Sequence, residues 1–426
     1  MKIGIIGAGL TGLTAAFDLT KAGHDVTIFE ATAQAGGLAA GFKPDEWAWS
    51  LEHYYHHWFT TDQDLLKLAD EMGVRDKIIF PRPETVVYFE GKFYPLDSPF
   101  ALLGFPGFNL LDKIRFGLTY IFLKLMKNGT SLEKHTAMDW MERAMGKRVS
   151  DVLWRPMLEG KFGKYARQVN MAWLWARITT RSPRLGTYQG GFQAFCDELA
   201  NQVQKRGAVL HFNSSVSRVQ PGGQGVDLQV GSQTHHFDRV LSTTSPRLMA
   251  EITPALSEAY RQKLTGLTNM GAVVLILALK HQLTQSYWFN LPKEAGYPFL
   301  ALVEHTNFLP REHYGGDHLI YLGDYLETDH PHFEIDKDAL VQKFLPSLKR
   351  FNPDFSADWV RESWIFRTKY AQPIPFLNHS QNIPALRTGI AGLWFASMSQ
   401  VYPYDRGTNF AVELGRRVAR EISQSK

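Results

Sequence analysis

The 426-residue sequence predicts an α/β fold with a parallel-sheet domain, into which a mixed-sheet plus helical domain is inserted. Two observations predict this arrangement. Near the amino terminus, apolar runs at Lys2 to Ile6 and Asp25 to Phe29 flank a helical pattern at Leu10 to Ala22, which together form a βαβ unit. Alternating strand and helix patterns of the same kind return near Gly190 and again at the end of the sequence, whereas the segments between them are rich in hairpin and β-forming patterns.

The parallel-sheet domain is therefore predicted to be discontinuous, with residues 1–75, 186–250 and 376–426 in one domain and residues 76–185 and 251–375 in the other. Its later elements are a helix at Phe192–Lys205, strands at 208–212, 216–219, 226–230, 240–242 and 390–396, and a helix at Asn409–Ile422.

The inserted domain opens with a hairpin pattern, TVVYF then KFYPL, with Glu90-Gly91 at its turn. Helices are predicted at 110–126, 131–145 and 172–180, and β-rich segments at 271–280, 299–304, 319–325 and 359–366.

Composition narrows the class of protein. A content of 44% hydrophobic and 21% charged residues is typical of a globular protein with a large core. The net charge of +4 is carried without a long Lys/Arg block, which argues against a nucleic-acid partner. The single cysteine, Cys196, excludes an intrachain disulfide and a cysteine-based zinc site, and it falls in a predicted helix core.

No uncharged apolar run reaches the ~18 residues that a membrane-spanning helix needs. The sequence opens directly into a strand and leaves no room for a cleavable signal peptide. We therefore expect a cytoplasmic protein.

A glycine-rich turn, Gly7-Ala8-Gly9-Leu10-Thr11-Gly12, follows the first strand and opens the first helix. With Glu30 at the end of the next strand, this context predicts a Rossmann-like dinucleotide site. Gly7 permits the tight turn, Gly9 lets the backbone approach a pyrophosphate, and Gly12 lets the helix pack on the strand. Glu30 would accept hydrogen bonds from a ribose and repel a 2′-phosphate, which argues against NADP.

A second glycine pair, Gly36-Gly37, favours FAD over NAD, because an extended FAD needs a second backbone segment close to its pyrophosphate. The spacing from Glu30 to this pair resembles that of the flavoprotein family containing monoamine oxidases, protoporphyrinogen oxidases, carotenoid desaturases and UDP-galactopyranose mutases. In many members an arginine follows the pair, whereas this sequence has Leu38 there.

The resemblance extends over most of the sequence through GAVLHFNSSVSRV, HHFDRVLSTTSP and GLWFASMSQVYPYDRGTNFAVELG. It implies a Rossmann-like FAD-binding domain of the GR2 type with an inserted substrate domain. Besides the first glycine turn, the implied cofactor-binding positions are Glu30, Ala31, Gly36, Gly37, Leu38, His56, Val216, Thr243, Ser397, Met398, Gly407, Thr408, Asn409 and Phe410. The last four open a helix whose amino terminus would stabilise negative charge on a reduced flavin.

The segment SLEHYYHHWF holds His53, His56 and His57 within five residues. A metal site lacks a supporting ligand framework at a convincing spacing, and solvated loop histidines are the simpler interpretation. A third interpretation follows from the resemblance, since UDP-galactopyranose mutases carry a His-rich segment over the flavin. On that basis His56 or His57 is expected near the flavin ring.

Two arginines and a tyrosine are the remaining catalytic candidates. The resemblance places Arg367 and Tyr370 where the chain enters the flavin domain, and Arg406 beside the flavin helix. Arg177, Arg181 and Lys161 could bind an anionic substrate, although taken singly they are typical of structural or surface charges.

The segment 100–126 is apolar with scattered lysine and arginine. An interfacial helix that contacts a membrane is one interpretation. The pattern favours the other, a buried helix of the substrate domain.

Three functions follow from the resemblance. The first is an FAD-dependent oxidoreductase that takes a hydride from a C–N or C–C bond of a small molecule. The second is a mutase-like enzyme acting on a nucleotide sugar without net redox change, and the third is a non-enzymatic FAD-binding protein. Neither the substrate nor the oligomeric state follows from the sequence.

Overall fold

The computed structural model describes residues 1–425, except for the side chain of Pro99. Those residues form twenty strands and thirteen helices. The strands are β1 (Lys2–Ile6), β2 (Asp25–Phe29), β3 (Gly41–Phe42), β4 (Leu51–Glu52), β5 (Trp58–Phe59), β6 (Ile78–Ile79), β7 (Thr85–Phe89), β8 (Lys92–Pro95), β9 (Leu185–Tyr188), β10 (Val209–His211), β11 (Val216–Gly222), β12 (Gly225–Val230), β13 (Gln233–Phe237), β14 (Arg239–Ser242), β15 (Asn269–Leu279), β16 (Trp288–Asn290), β17 (Ala301–Glu304), β18 (His318–Leu326), β19 (Val360–Pro373) and β20 (Leu393–Phe395). The helices are α1 (Leu10–Lys21), α2 (Gln63–Met72), α3 (Pro99–Gly104), α4 (Leu110–Leu125), α5 (Ala137–Met145), α6 (Lys147–Val149), α7 (Arg155–Phe162), α8 (Met171–Thr180), α9 (Phe192–Lys205), α10 (Pro246–Ile252), α11 (Glu258–Thr265), α12 (Lys337–Phe344) and α13 (Thr408–Gln424).

Five strands form a parallel sheet in the order β10-β2-β1-β14-β20. One face is covered by α1, α9 and α13, and the other by the antiparallel sheet β11-β12-β13 together with α10 and α11. Because both faces are covered, the strands are short apolar runs, as expected for a parallel sheet. The strands come from three distant stretches of chain, which confirms the predicted α/β fold; the domain boundaries remain a prediction.

Seven strands form a mixed sheet in the order β19-β15-β18-β17-β16-β7-β8. Within the described residues of this sheet, β16–β7 is the only parallel pair, and the other neighbours are antiparallel. The interior strand β15 is buried from its second residue onward. Its side chains alternate, so Val273 and Leu275 pack in the core beneath α12, while Ala272 and Val274 face a cavity on the opposite side.

A layer of helices, α4 to α8, completes the inserted part around a core of Met, Phe and Trp side chains. The predicted helix at 131–145 begins only at Ala137. Thr136 is its N-cap and accepts a hydrogen bond from the Asp139 N–H at 3.3 Å, while Thr130–Lys134 forms a separate 3-10 turn.

The segment 100–126 forms α3 and α4, but its preferred interpretation as a buried helix is wrong. Phe100 is 85% exposed and Leu125 is 77% exposed. The helix predicted at 110–126 is confirmed, whereas nothing in the described residues covers its exposed apolar side chains. In the part of the chain that the structure describes, no helix is long and apolar enough to cross a membrane.

Candidate functional site

A cavity of about 390 Å³ lies between the two main sheets. Ile6 and Phe29, the last residues of β1 and β2, and Thr243, just after β14, line one side. Ala272 and Val274 of β15 line the other. Ligands of open α/β sheets bind at the carboxyl ends of the strands, which is where this cavity begins.

The first glycine turn shapes one end of the cavity. Gly7 has φ +103°, and a Cβ on Gly12 would lie 2.1 Å from the Gly7 carbonyl oxygen, so α1 packs closely on the turn. Helix α1 opens on the cavity through Leu10 and Thr11, and no acidic residue occupies its first turn. Its free N–H groups therefore suit a phosphate.

Glu30 lines the same end and is held in one orientation. Its Oε2 accepts a hydrogen bond from the Ala8 N–H at 2.8 Å, and its Oε1 accepts from the Thr32 N–H and hydroxyl at 2.9 and 2.8 Å. Ala8 therefore orients Glu30 through its backbone N–H but does not line the cavity. Ala31 does line the cavity. Thr32 was not predicted from the sequence.

The glycine pair lies directly against the first turn. The Gly36 N–H donates to the Ala8 carbonyl at 2.9 Å, and a Cβ on Gly37 would lie 3.3 Å from the Gly9 Cα. Gly36 and Gly37 both have positive φ, +122° and +57°. Only glycine meets both demands at once, so two backbone segments line one narrow part of the cavity beside Leu38.

The opposite end is formed by the start of α13 and the turn after β20. Ser397, Met398, Gly407 and Thr408 line it, as the resemblance implied. The Thr408 hydroxyl is buried and has no hydrogen-bond partner among the described residues. A buried hydroxyl at a helix amino terminus that faces a cavity is placed to meet a polar atom of a ligand.

Asn409 and Phe410 do not line the cavity. The Asn409 Oδ1 instead accepts hydrogen bonds from the N–H groups of Asp64 and Leu65, at 3.0 and 3.1 Å, and so caps α2. The Phe410 ring stacks on Tyr404 with centroids 4.6 Å apart. The structure thus gives both residues structural contacts outside the cavity wall, and their cofactor contacts stay a prediction.

The three histidines of the His-rich segment have different environments. His56 lines the cavity, and its Nδ1 lies 2.5 Å from the Tyr54 carbonyl. His57 points away and pairs with the Tyr287 hydroxyl, while His53 stacks on Phe366. Within the described residues, no group of three or more His, Cys, Asp or Glu side chains could hold a metal.

Burial, and next the positive charge of Arg406, lower the pKa of His56 to about 4. The ring is therefore neutral at pH 7. Its Nδ1–H donates to the Tyr54 carbonyl, which leaves Nε2 as a hydrogen-bond acceptor.

Tyr370 and Arg406 reach the cavity, but Arg367 does not. The Tyr370 hydroxyl lies 3.1 Å from the Ser397 hydroxyl, and Arg406 donates to the Tyr325 hydroxyl. Arg367 instead donates to backbone carbonyls before α12, with Nε 3.1 Å from the carbonyl of His332. Because side chains of β19 alternate, Thr368 and Tyr370 face the cavity and Arg367 faces the other way.

Several lining residues were not predicted as site residues. Tyr54 and Tyr55 stand beside the quoted histidines, and Tyr325 ends a segment that was predicted only as β-rich. Val216 and Thr243 do line the cavity, together with the unpredicted Ser214, Ser215, Thr244, Ser245 and Leu248. The local sequence pattern could not identify these positions, because they are distant in sequence and meet only where the strands of the folded sheets end.

These features fit FAD. The glycine turn and pair line one narrow part of the cavity with backbone, which lets a pyrophosphate lie close to both segments, and Glu30 is fixed beside them. At the far end Thr408 offers an unpartnered hydroxyl at a helix amino terminus. Cys196 is buried in α9 among core side chains and is absent from the cavity wall.

Comparison with known proteins gives a consistent picture. The sequence model of a family described as "Flavin containing amine oxidoreductase" matches residues 10–423. Mitochondrial protoporphyrinogen oxidase of Nicotiana tabacum is 26% identical over 190 residues, which is 44% of this chain and 37% of that protein. The matches to three curated relatives span between 37% and 60% of the length of those proteins.

Solved structures share the fold over nearly the whole chain. An oxidoreductase from Methanosarcina mazei has a TM-score of 0.75 at 18% identity, covering 99% of this chain and 100% of that one. Reduced UDP-galactopyranose mutase has a TM-score of 0.77 at 15% identity, covering 99% of this chain and 95% of that one. At these identities the likeness concerns the fold alone.

Proposed function

Because this chain belongs to the flavin containing amine oxidoreductase family, its cofactor is FAD, and we propose that it oxidises a C–N or C–C bond of a small molecule. When bound, FAD supplies a hydride acceptor, so the protein has to hold the substrate and exclude water.

One observation carries the proposal. The cavity does not end at the residues that fit the cofactor but continues to the face of the mixed sheet. There its walls are Ala272, Val274, Tyr325, Thr368 and Tyr370. A mainly apolar and aromatic wall desolvates a substrate and fixes its orientation through a few polar groups.

The polar groups at this end stay in one protonation state near neutral pH. Burial raises the pKa of Tyr55 well above its usual value and also raises the pKa of Tyr370, so both remain hydroxyl donors. The neutral His56 is an acceptor. The arrangement suits removal of hydride from a neutral amine or a C–H bond, which requires no strong acid at the reacting atom.

A second candidate is a mutase-like reaction on a nucleotide sugar without net redox change. The observation that favours it is a group of basic side chains, Arg177, Arg181, Arg406 and Lys161, near the substrate end. Such groups recognise phosphates.

The test uses the purified protein under anaerobic conditions, after heat release has identified FAD as the bound flavin. We expect at least one amine, porphyrinogen or polyene to bleach the flavin absorbance without dithionite, and a Tyr370→Phe variant to retain FAD but to be reduced more slowly. If no such substrate bleaches the flavin while dithionite-reduced enzyme rearranges a nucleotide sugar, the oxidoreductase proposal is wrong and the mutase candidate replaces it.

A further inference from the structure

Four basic side chains surround the carboxylate of Asp405, whose side chain is 13% exposed. We call Lys161, Arg177, Arg181 and Arg406 the cation group. Three of them form salt bridges with the Asp405 Oδ2, at 2.6 Å for Arg177, 3.4 Å for Lys161 and 4.0 Å for Arg181. Asp405 Oδ1 accepts from the Arg406 backbone N–H at 3.1 Å and from the Trp173 indole N–H at 3.2 Å.

One carboxylate does not balance four cations. Within the described residues, Lys161, Arg177 and Arg181 form their salt bridges with Asp405. Although burial alone would raise its pKa, the cations, Lys161 first, hold the pKa of Asp405 well below its usual range. Burial lowers the pKa of Lys161, as do its three positive neighbours. Buried positive charge without a partner is costly, so an excess of it is expected where an anion binds.

The cation group borders the cavity. Arg406 is a lining residue, and its Nε is buried without a hydrogen-bond partner in the described part of the chain. The Lys161 Nζ lies 5.0 Å from the ring centroid of Tyr325, another lining residue. The Arg181 side chain is 46% exposed, so the group extends from the cavity wall to the surface.

We propose that the cation group binds a phosphate or carboxylate of the substrate, so that the enzyme acts on anionic small molecules. This inference rests on the proposed function, because it assigns the substrate class of the same site. Asp405 fixes the positions of the cations, and the unpartnered Arg406 Nε together with the exposed edge of Arg181 supplies donors for the anion.

The test measures binding of inorganic phosphate, inorganic pyrophosphate and succinate to the FAD-loaded protein by calorimetry. We expect at least one anion to bind, and Arg181→Gln to weaken that binding roughly tenfold through the loss of charge-assisted hydrogen bonds. Arg167→Gln, at an exposed arginine outside the group, is the control and should bind as the wild type does. Melting temperature and FAD content verify that each variant is folded.

The inference is overturned if none of the three anions binds, or if Arg181→Gln binds as tightly as the wild type. The binding measurement involves no turnover, so it separates the two proposals. Anion binding without flavin reduction by any substrate leaves the inference standing and removes the oxidoreductase proposal. Flavin reduction by a neutral amine without anion binding overturns the inference and leaves the oxidoreductase proposal standing.

A second, independent observation concerns the surface. Ten of the fifteen exposed large hydrophobic side chains in the described residues lie between Phe100 and Leu125. Eight of these are on α4, and seven of the eight, at positions 110, 111, 114, 118, 121, 122 and 125, share one side of the helix. At 100° per residue they fall within an arc of about 120°. We call these seven side chains the apolar stripe.

Basic residues flank both edges of the apolar stripe. Lys113 and Lys124 lie along one edge and Arg115 along the other, by the same helical angles. Asp112, the acidic residue of α4, is buried and accepts from the Asn109 N–H at 3.1 Å in the capping box. The charges that border the apolar stripe are therefore positive.

We infer that the apolar stripe docks on a phospholipid bilayer with anionic headgroups, where the apolar side chains enter the interface and the flanking cations meet the lipid phosphates. Lys124 also donates to the backbone carbonyl of Arg181, at 3.4 Å, so the docked face would adjoin the cation group.

Flotation of the holoenzyme with vesicles tests this second inference. We expect binding to phosphatidylcholine vesicles that contain phosphatidylglycerol, weaker binding to pure phosphatidylcholine, and loss of most binding in Leu118→Ser/Leu125→Ser. The matched control is Val209→Ser/Leu377→Ser, at exposed side chains elsewhere. Absence of vesicle binding overturns the inference, and a mass that doubles with concentration would then assign the apolar stripe to a second copy of the chain.

Discussion

Two threonines allow the cofactor contact to be isolated at the level of one residue. The hydroxyls of Thr408 and Thr14 are both buried on helices without a hydrogen-bond partner among the described residues. Thr408 faces the cavity, whereas Thr14 lies within α1 and is not a lining residue. If FAD supplies the missing partner, only one of these hydroxyls gains a hydrogen bond when the cofactor binds.

We expect Thr408→Val to weaken FAD binding between about twofold and tenfold, the worth of one net hydrogen bond. The measurement is a fluorescence titration of the apoprotein with FAD. Thr14→Val should bind FAD as the wild type does. Equal affinity of Thr408→Val and the wild type would mean that this hydroxyl does not meet the cofactor.

At the scale of elements, the amino terminus of α13 contacts both the cavity and helix α2. Its first residue, Thr408, faces the cavity, and its second, Asn409, caps α2 from a distance of more than 340 positions in sequence. The resemblance placed both residues at the flavin because they are adjacent in sequence. On a helix, adjacent residues point about 100° apart, so one of them can serve another element.

We expect Asn409→Ala to lower the free energy of unfolding by about 1 kcal/mol, the usual worth of an N-cap side chain. Asn409→Asp keeps an acceptor oxygen and should retain most of that stability. Urea denaturation of the apoproteins provides the comparison. An alanine variant that is as stable as the wild type but loses FAD would mean that Asn409 binds the cofactor and does not stabilise α2.

The elements that could be predicted are those specified by features close in sequence, such as turn residues and hydrophobic period. The βαβ unit, the hairpin at Glu90-Gly91 and helix α9 all appear where turn chemistry and period place them. The glycine pair was also predictable, because positive φ and close approach leave no other residue.

The contacts that could not be predicted are long-range. The pattern of residues 110–126 predicted the helix α4 but not the absence of an element that covers its apolar side chains. Convergence of Lys161, Arg177 and Arg181 on Asp405 depends on how distant parts of the chain pack, and no spacing in the sequence encodes that.

At the scale of the whole molecule, buried ionisable groups make stability depend on pH in opposing ways. Burial lowers the pKa of His305 to about 3, and its Nε2 lies 2.7 Å from the Tyr314 hydroxyl. The unfolded chain takes up a proton on His305 below about pH 6.5 whereas the folded protein does not, so this residue destabilises the fold as the pH falls from 6.5 toward 3. Burial raises the pKa of Glu52 and of Glu304 to about 7, so these two residues act in the opposite sense between about pH 4.5 and 7.

We expect His305→Asn to lose about 2 kcal/mol less stability than the wild type between pH 7 and pH 5, because the variant has no imidazole that only the unfolded chain can protonate. Urea denaturation at the two pH values measures the loss of stability for each protein. The contributions of the other titrating groups cancel when the loss for the variant is subtracted from the loss for the wild type. His281→Asn, at an exposed histidine, is the control. Parallel pH dependence of His305→Asn and the wild type would contradict the buried neutral state.

The order of strands in the parallel sheet also affects how the chain is made. β14 and β20 are neighbours, yet Ser242 and Leu393 are separated by roughly 150 residues, which a ribosome adds in about 10–30 s. During that interval the edge of β14 has no partner on one side, and the wall that α13 contributes does not yet exist. FAD therefore cannot meet a complete site on the nascent chain until residues 393–411 have emerged, and the open strand edge is a target for chaperones during translation.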